Sequence, residues 1–136
     1  NVGIALAAIA AAVDHASGRR YASGESLAEI QSIQHALAGM DISTRAACLA
    51  VREAARLGDA AEDEALVALM EAKVLATDTA AAVTDAALEV CGGQGYTRAL
   101  PVERHLRDAR AGAVMAPTNG VLRNWIGKAL AGLPVP

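Results

Sequence analysis

The stretch ALEVCGGQGYTRALPVERHLRDAR, residues 87–110, places three glycines and a proline between two helical patterns. Gly92, Gly93 and Gly95 follow a long alanine-rich segment, so they predict the end of a helix and a tight turn. The same glycines permit positive φ angles and leave backbone N–H and C=O groups uncovered, where a planar or phosphate-bearing ligand could bind. The spacing differs from the GxGxxG of dinucleotide-binding folds, because Arg98 stands where the third glycine belongs.

The chain on either side of this stretch has the apolar periodicity of helices. The preceding helix is expected from about residue 60 to residue 90. After the glycines, Pro101 fits the first position of a fourth helix, which Pro117 ends. A short last helix carries Val121 and Leu130.

Two further helices are predicted in the first half of the chain. Val2, Leu6, Ile9 and Val13 recur every three or four residues, which places them on one face of a core helix that ends near residue 17.

The second helix and its connection to the third have sequence signals at their ends. Ser26 and Glu29 have the spacing of a capping box, and apolar residues continue from there to about residue 57. Gly39 inside this helix predicts close packing or a kink. Gly58 is expected to stop the helix, and Asp59 to be the N-cap of the next one.

Composition favours an all-α fold in a single domain. The 136 residues are 54% hydrophobic but only 2% aromatic, with no phenylalanine, so helices of alanine, leucine and valine can pack closely. No internal repeat or linker is visible. We therefore expect one domain over residues 1–136, an up-down four-helix bundle with a short extra C-terminal helix.

Charge and cysteine usage exclude several classes of function. The formal charge of −3, with 12 basic and 15 acidic residues, argues against a nucleic-acid partner. Cys48 and Cys91 lack metal-ligand spacing and predict reduced thiols in a cytoplasmic protein, with no metal site. The three histidines are also too widely separated in sequence to predict a ligand set. The longest apolar run is about a dozen residues, too short to span a bilayer.

Residues 87–110 resemble the C-terminal helical domain of the acyl-CoA dehydrogenase family. The resemblance rests on GGxGY, a short gap, then PVER and RDAR, and the order of helices extends it over essentially the whole chain. It implies an oxidoreductase of fatty acid metabolism, a flavoprotein that oxidises acyl-CoA thioesters between the α and β carbons with FAD. The family's N-terminal helical and middle β domains have no counterpart in the 136 residues, and the first residue, Asn1, lies within a helical pattern, which suggests a piece of a longer protein.

The resemblance also implies cofactor contacts and an oligomer. The family's C-terminal domains form the centre of a homo- or hetero-oligomer, and part of each flavin site comes from a neighbouring subunit. The arginine that reaches the FAD pyrophosphate corresponds to Arg20, although Ser23 replaces the aromatic residue of that turn. The other implied FAD contacts are Gln31, Glu89, Val90, Cys91, Gly92, Gly93, Thr118 and Gly120. Two of them depart from the family, since Glu89 replaces a glutamine and Gly120 replaces a polar residue.

A further departure from the family concerns the catalytic base. Alignment of VMAPTNGVLR on Thr118 and Arg123 places Ala116 where the family's glutamate belongs, and alanine cannot accept a proton. Some family members carry the base on the opening helix, at a position before Asn1. Three hypotheses therefore remain: an active dehydrogenase with its base elsewhere, a non-catalytic subunit that supplies assembly and cofactor contacts, or a flavin monooxygenase of the same fold. In each case we expect the isolated chain to be inactive and to bind FAD weakly or not at all.

Overall fold

Five α-helices form the part of the protein that the structure describes. The computed structural model describes residues 1–135, and the helices are α1 (Val2–Gly18), α2 (Gln31–Asp59), α3 (Ala65–Gly95), α4 (Val102–Val114) and α5 (Asn119–Leu130). Among the described residues, β-pairing is limited to one bridge between Arg20 and Ser26. The predicted all-α bundle with a short last helix is confirmed.

The longest helix, α3, is the centre of the bundle. It packs against α1, α2, α4 and α5, and the two long helices α2 and α3 form the most extensive contact. A five-residue turn joins α2 to α3, and short connections join the later helices. Short connections of this kind produce the up-down arrangement that the sequence predicts.

Alanine, rather than the larger apolar residues, forms the buried face of α1. Ala5, Ala8, Ala12 and Ala16 are completely buried. Leu6 and Val13, by contrast, are 52% and 39% exposed, while Val2 and Ile9 are half-buried. The expectation that the larger residues mark the core face of α1 is therefore wrong. A face of small side chains lets α1 approach its neighbours closely. The van der Waals contacts between the closely packed helices then compensate for the small apolar area that each alanine buries.

The start of α2 also differs from the prediction. Ser26 and Glu29 contact each other, but the Ser26 hydroxyl donates to the Glu29 carboxylate at 3.1 Å and does not cap a backbone N–H. The pair belongs to a 3₁₀ turn at Leu27–Glu29. Ile30 then adopts an extended conformation, with φ −79° and ψ 125°, so that α2 begins only at Gln31.

Gly39 of α2 does not have the role predicted for it. Gly39 is exposed, and a Cβ atom there would meet no atom within 4 Å. Close helix packing occurs instead at Gly112 in α4, where a Cβ would lie 2.7 Å from the Asn1 side chain and 2.9 Å from Cγ2 of Thr77. A side chain at position 112 would therefore force α4 away from α3.

The turn between α2 and α3 has no glycine where its geometry favours one. Helix α2 continues through Gly58 to Asp59, so the prediction that Gly58 stops it is wrong. Helix α3 begins five residues later than predicted and has no side-chain cap, so the prediction that Asp59 is its N-cap is also wrong. The Glu62 N–H donates to the Leu57 carbonyl at 3.0 Å, and the Ala61 N–H donates to the Gly58 carbonyl at 3.1 Å. This is a Schellman motif, and Ala61 occupies its left-handed position with φ 50°.

The later helix boundaries are closer to the prediction. Pro101 directly precedes α4 with helical angles, φ −74° and ψ −1°, as expected for a helix start. Helix α4 ends at Val114, before Pro117, and α5 starts at Asn119, two residues earlier than Val121. The glycine stretch forms the last turns of α3, which extends to Gly95 and not only to residue 90.

Residues 1–135 contain neither a candidate membrane span nor a candidate metal site. None of the helices combines the length and the hydropathy that crossing a bilayer requires. In the same range, no three histidine, cysteine, aspartate or glutamate side chains are grouped so that they could hold a metal ion.

Ala61→Gly should stabilise the protein. Glycine adopts the left-handed conformation without the steric cost that Ala61 carries, so the free energy of unfolding should rise by about 0.5–1 kcal/mol in urea denaturation. The corresponding Schellman position after α5 is already a glycine, Gly132, with φ 68°. The control is Ala60→Gly, because Ala60 has φ −84° and glycine there should lower stability. An Ala61→Gly variant no more stable than the parent would contradict this reading of the turn.

Candidate functional site

The glycine segment ends α3 with a local break in the helix. Gly92 has φ 56° and ψ −147°, a backbone conformation that residues with a Cβ rarely adopt. Of the three glycines in the segment, this is the one with positive φ. Gly95 has a different role, because a Cβ there would lie 2.8 Å from the Cβ of Cys91. The break exposes Gly92 and Gly93, while Val90 and Cys91 remain buried.

A cleft of about 450 Å³ lies against this segment. A Cβ on Gly92 or Gly93 would meet no protein atom within 4 Å, so the bare backbone leaves room that a side chain would otherwise occupy. The end of α1 and the 3₁₀ turn form the other walls. The lining residues are His15, Arg19, Leu27, Val90, Cys91, Gly92, Gly93 and Gln94. Four of the predicted cofactor contacts, Val90 to Gly93, therefore lie together in one cleft.

The basic side chains that line the cleft differ from Arg20, the residue that the sequence predicted for this site. Arg20 lies outside the lining, and its guanidinium donates to the Gly24 carbonyl at 3.2 Å within its own turn. Arg19 and His15 line the cleft instead. His15 lies in the last turn of α1, and Arg19 is the C-cap residue, with an extended backbone. The spacing of four residues between two basic side chains is the sequence signal that could have identified them.

Two other predicted contacts, Gln31 and Glu89, are exposed and lie outside the lining of the cleft. Gln31 is the first residue of α2, and Glu89 directly precedes the buried Val90. Inside the cleft, burial raises the pKa of the Cys91 thiol above its ordinary value. A raised pKa keeps the thiol protonated, so Cys91 contributes a neutral, apolar part of the wall.

The remaining predicted residues lie in and after the connection between α4 and α5, residues 115–118. Ala116 is exposed and has no ionisable group. Thr118 is the N-cap of α5, and its hydroxyl oxygen accepts a hydrogen bond from the Val121 N–H at 3.3 Å. Gly120 is exposed in the first turn of the same helix. The connection thus presents a short, non-ionisable surface beside a capped helix N-terminus.

Lys73 of α3, which the sequence analysis did not identify, holds this connection. Its ammonium donates to the Gly112 carbonyl at 2.8 Å, to the Pro117 carbonyl at 3.1 Å and to Oδ1 of Asn119 at 2.7 Å. The sequence carries one hint, since Lys73 is one of only two lysines and lies within a largely apolar helix.

Asp78 binds the other side of Asn119. Nδ2 of Asn119 donates to Asp78 at 2.9 Å, and the second carboxylate oxygen of Asp78 accepts from Arg123 of α5. These residues form a continuous polar network between α3 and α5, which we call the Lys73 network: Lys73, Asn119, Asp78 and Arg123.

The cleft and the connection are well separated. Lys73 and Gly92 lie 19 residues apart on α3, which corresponds to about 28 Å along a helix. None of the residues that line the cleft belongs to residues 115–120. A single copy of this chain therefore does not bring all of the predicted site residues together.

A larger groove of about 780 Å³ lies between α3 and α4. Its floor is apolar, with Leu88 and Leu106, and its rim carries both signs of charge. The polar residues of the rim are Asp85, Tyr96, Glu103, Arg107 and Arg110. Arg107 pairs with Glu103 at 3.8 Å on the same helix, so part of this charge is neutralised locally.

Known proteins share both the sequence and the fold. The profile of the acyl-CoA dehydrogenase C-terminal domain matches residues 1–131. The chain is 40% identical over 131 residues to 3-sulfinopropanoyl-CoA desulfinase of Paraburkholderia xenovorans, covering 96% of this chain and 33% of that protein. It is 37% identical over 122 residues to the mitochondrial short-chain specific acyl-CoA dehydrogenase of Sus scrofa, covering 90% of this chain and 29% of that protein.

The solved structure of butyryl-CoA dehydrogenase from Megasphaera elsdenii superposes with a TM-score of 0.90 at 37% identity, over 96% of this chain and 33% of that one. The chain thus spans about a third of the length of the relatives it matches. Sequence, helix order and fold agree, and the chain belongs to the acyl-CoA dehydrogenase family, within the C-terminal domain.

Proposed function

We propose that this chain forms the C-terminal helical part of a flavin-dependent enzyme that acts on acyl-CoA thioesters. The observation that carries the proposal is the cleft that joins the exposed Gly92 and Gly93 backbone to Arg19 and His15. In this role the chain supplies one wall of an FAD site and a contact between subunits.

The residues of the cleft fit an anionic, extended ligand such as the pyrophosphate and adenosine parts of FAD. Arg19 supplies a permanent positive charge and hydrogen-bond donors to a phosphate group. The glycine backbone at positions 92 and 93 carries no Cβ and so allows a ligand to approach the main chain closely. The exposed carboxylate of Glu89 would oppose a phosphate, so the position of Arg19 relative to Glu89 matters for affinity.

The bound flavin would supply the acceptor for a hydride in a dehydrogenation. That reaction also needs a base for the α proton of the thioester, and Ala116 cannot provide one. For α,β-dehydrogenation, the proposal therefore requires a base at another position, either upstream of Asn1 or on a partner chain. What this chain contributes at positions 115–118 is a fixed wall and the capped N-terminus of α5.

A second candidate function needs no carboxylate at position 116. The desulfinase to which this chain is 40% identical acts, by its name, on a 3-sulfinopropanoyl thioester. Loss of a sulfinate group as sulfur dioxide leaves the bonding electron pair on carbon, which then takes up a proton. That reaction is redox-neutral and removes no α proton, so alanine at position 116 favours it over dehydrogenation.

The exposed apolar side chains fit a subunit contact. Ile42 and Leu49 lie seven residues apart on one face of α2 and are 69% and 60% exposed. Leu66 and Leu69 at the start of α3 are also exposed. Apolar side chains in this number are typical of a surface covered by another protein segment. The two free cysteines, Cys48 and Cys91, fit a reducing, cytoplasmic environment.

FAD at millimolar concentration should bind weakly in the cleft. In amide NMR spectra we expect shifts centred on Gly92, Gly93 and Gln94, and loss of most of this response in Arg19→Met. Arg110→Met is the matched control, because Arg110 lines the larger groove between α3 and α4. Shifts centred on that groove, or a response that Arg19→Met leaves intact, would contradict the assignment of the cleft.

The role of position 116 can be tested in a chimera in which this chain replaces the matching third of the butyryl-CoA dehydrogenase from Megasphaera elsdenii. Butyryl-CoA should bleach the flavin of this chimera very slowly under anaerobic conditions, because the base is missing. The double substitution Ala116→Glu and Pro117→Gly should accelerate bleaching by roughly 10²- to 10⁴-fold.

The matched control is the same replacement in the desulfinase of Paraburkholderia xenovorans. If the second candidate function is right, this chimera should still release sulfite from 3-sulfinopropanoyl-CoA with alanine at position 116. Rapid bleaching of the first chimera without substitution would show that position 116 is not where the base is required.

The chain should also self-associate through α2. Sedimentation at tens of micromolar should show oligomers, a concentration range in which interfaces of micromolar affinity are occupied. Ile42→Lys with Leu49→Lys should shift the protein to monomer. Leu130→Lys changes a residue on α5 that is even more exposed, at 80%, and should have a smaller effect. A parent chain that is monomeric in this range counts against the proposed contact.

A further inference from the structure

Lys73 bridges the two ends of the connection between α4 and α5. Gly112 lies in the last turn of α4, where carbonyl groups lack partners within the helix, and a cation at this end also interacts favourably with the helix dipole. Pro117 directly precedes the N-cap of α5. One ammonium group therefore contacts both ends of residues 115–118, and Ala116 lies inside the bridged segment.

All three donors of the ammonium are used in these contacts. An ammonium group has three N–H bonds and no acceptor, and Lys73 makes three hydrogen bonds to oxygen atoms. No N–H bond of Lys73 is left to bind a ligand. The geometry therefore excludes Lys73 from direct contact with a substrate or cofactor and assigns it a role through the residues it holds.

Helix α5 is attached to α3 partly by the same network. Its buried residues are Asn119 and Leu122, while Trp125 and Ile126 are half-buried, so a buried polar side chain lies beside a small apolar contact. The side chain of Asn119 lies between Lys73 and Asp78, and Arg123 adds a second contact to Asp78. Polar contacts to charged groups thus determine where the first turn of α5 lies on α3.

We propose that Lys73 is the positioning residue for residues 115–118, and that it fixes the position of residue 116 through Gly112, Pro117 and Asn119. The role of this connection in a reaction rests on the function proposed above. The experiments below use neither flavin nor thioester, so the two proposals can fail independently.

Hydrogen exchange of Lys73→Met tests the proposal. Loss of the ammonium should increase the exchange of amides within residues 115–124 by roughly tenfold to a hundredfold, as expected for loss of hydrogen bonds to a charged group. Amides of α1 and α2 should keep the rates of the unsubstituted protein. Lys73→Arg should restore part of the protection, because a guanidinium keeps the charge and several donors.

The matched control is Lys128→Met, which removes the only other lysine and should leave exchange in residues 115–124 unchanged. Unchanged exchange in Lys73→Met would overturn the proposal. An equal increase in all helices would overturn it as well, because that result indicates a general loss of stability and not local positioning.

A second measurement needs no substitution and applies even if Lys73→Met does not fold. Reductive methylation with ¹³C-formaldehyde gives each dimethylated lysine its own NMR signal. The signal of Lys73 should grow at least about tenfold more slowly than that of Lys128, because an amine engaged in three hydrogen bonds reacts only after the contacts open. Equal rates for the two lysines would contradict the proposed bridging contacts.

Discussion

The arrangement of the bundle depends on how closely four helices can approach α3. The side chains that α3 buries are mostly small, and α4 approaches it closely where Gly112 meets Thr77. Small residues bring backbones near each other and so allow side-chain contacts to main-chain carbonyls, such as those that Lys73 makes to α4 and the connection. The buried residues of α3 are Met70, Ala72, Ala76, Thr77, Thr79, Ala80, Val83, Thr84, Ala87, Val90, Cys91 and Gly95.

This central helix carries parts of two separate candidate regions. Near its C-terminal end, the break at Gly92 exposes backbone to the cleft with Arg19 and His15. Nearer its other end, Lys73 and Asp78 hold the start of α5. Because α3 is continuous between them, the two regions are held at a nearly constant separation of about 28 Å. If both regions contribute to flavin sites, they contribute most simply to different sites, one in each of two neighbouring subunits.

The sequence predicts the helices well because their number and order depend on local patterns and on proline and glycine. The prediction from sequence fails where several positions carry chemically similar residues and only the packing distinguishes them. In α1, alanine occupies positions on nearly every side of the helix, so the periodicity of Leu6 and Val13 is more visible than the alanine face that is buried. At Ala61 the chain adopts a glycine-like conformation without a glycine, and no local signal indicates it.

The sequence could predict those residues of the candidate site that lie together in one continuous segment. The resemblance in residues 87–110 located Val90 to Gly93 in what proves to be a cleft. Arg19 and Lys73 could not be found in the same way. Arg19 faces residues about 70 positions later in the chain, and the contacts of Lys73 span 39 to 46 residues, so both depend on how the helices pack.

The position of Asn119 also bears on how this protein ages chemically. Asn119 is followed by Gly120, the pair in which a backbone nitrogen most readily attacks the side-chain amide and releases ammonia. In the folded chain the amide is buried and bonded on both sides, and the helical backbone keeps the Gly120 nitrogen away from it. Opening of α5 removes this protection. The carboxylate formed by deamidation would keep Lys73 as a donor, but in place of the Nδ2–H donor it would present a like charge to Asp78, so the contact between Asn119 and Asp78 would be lost.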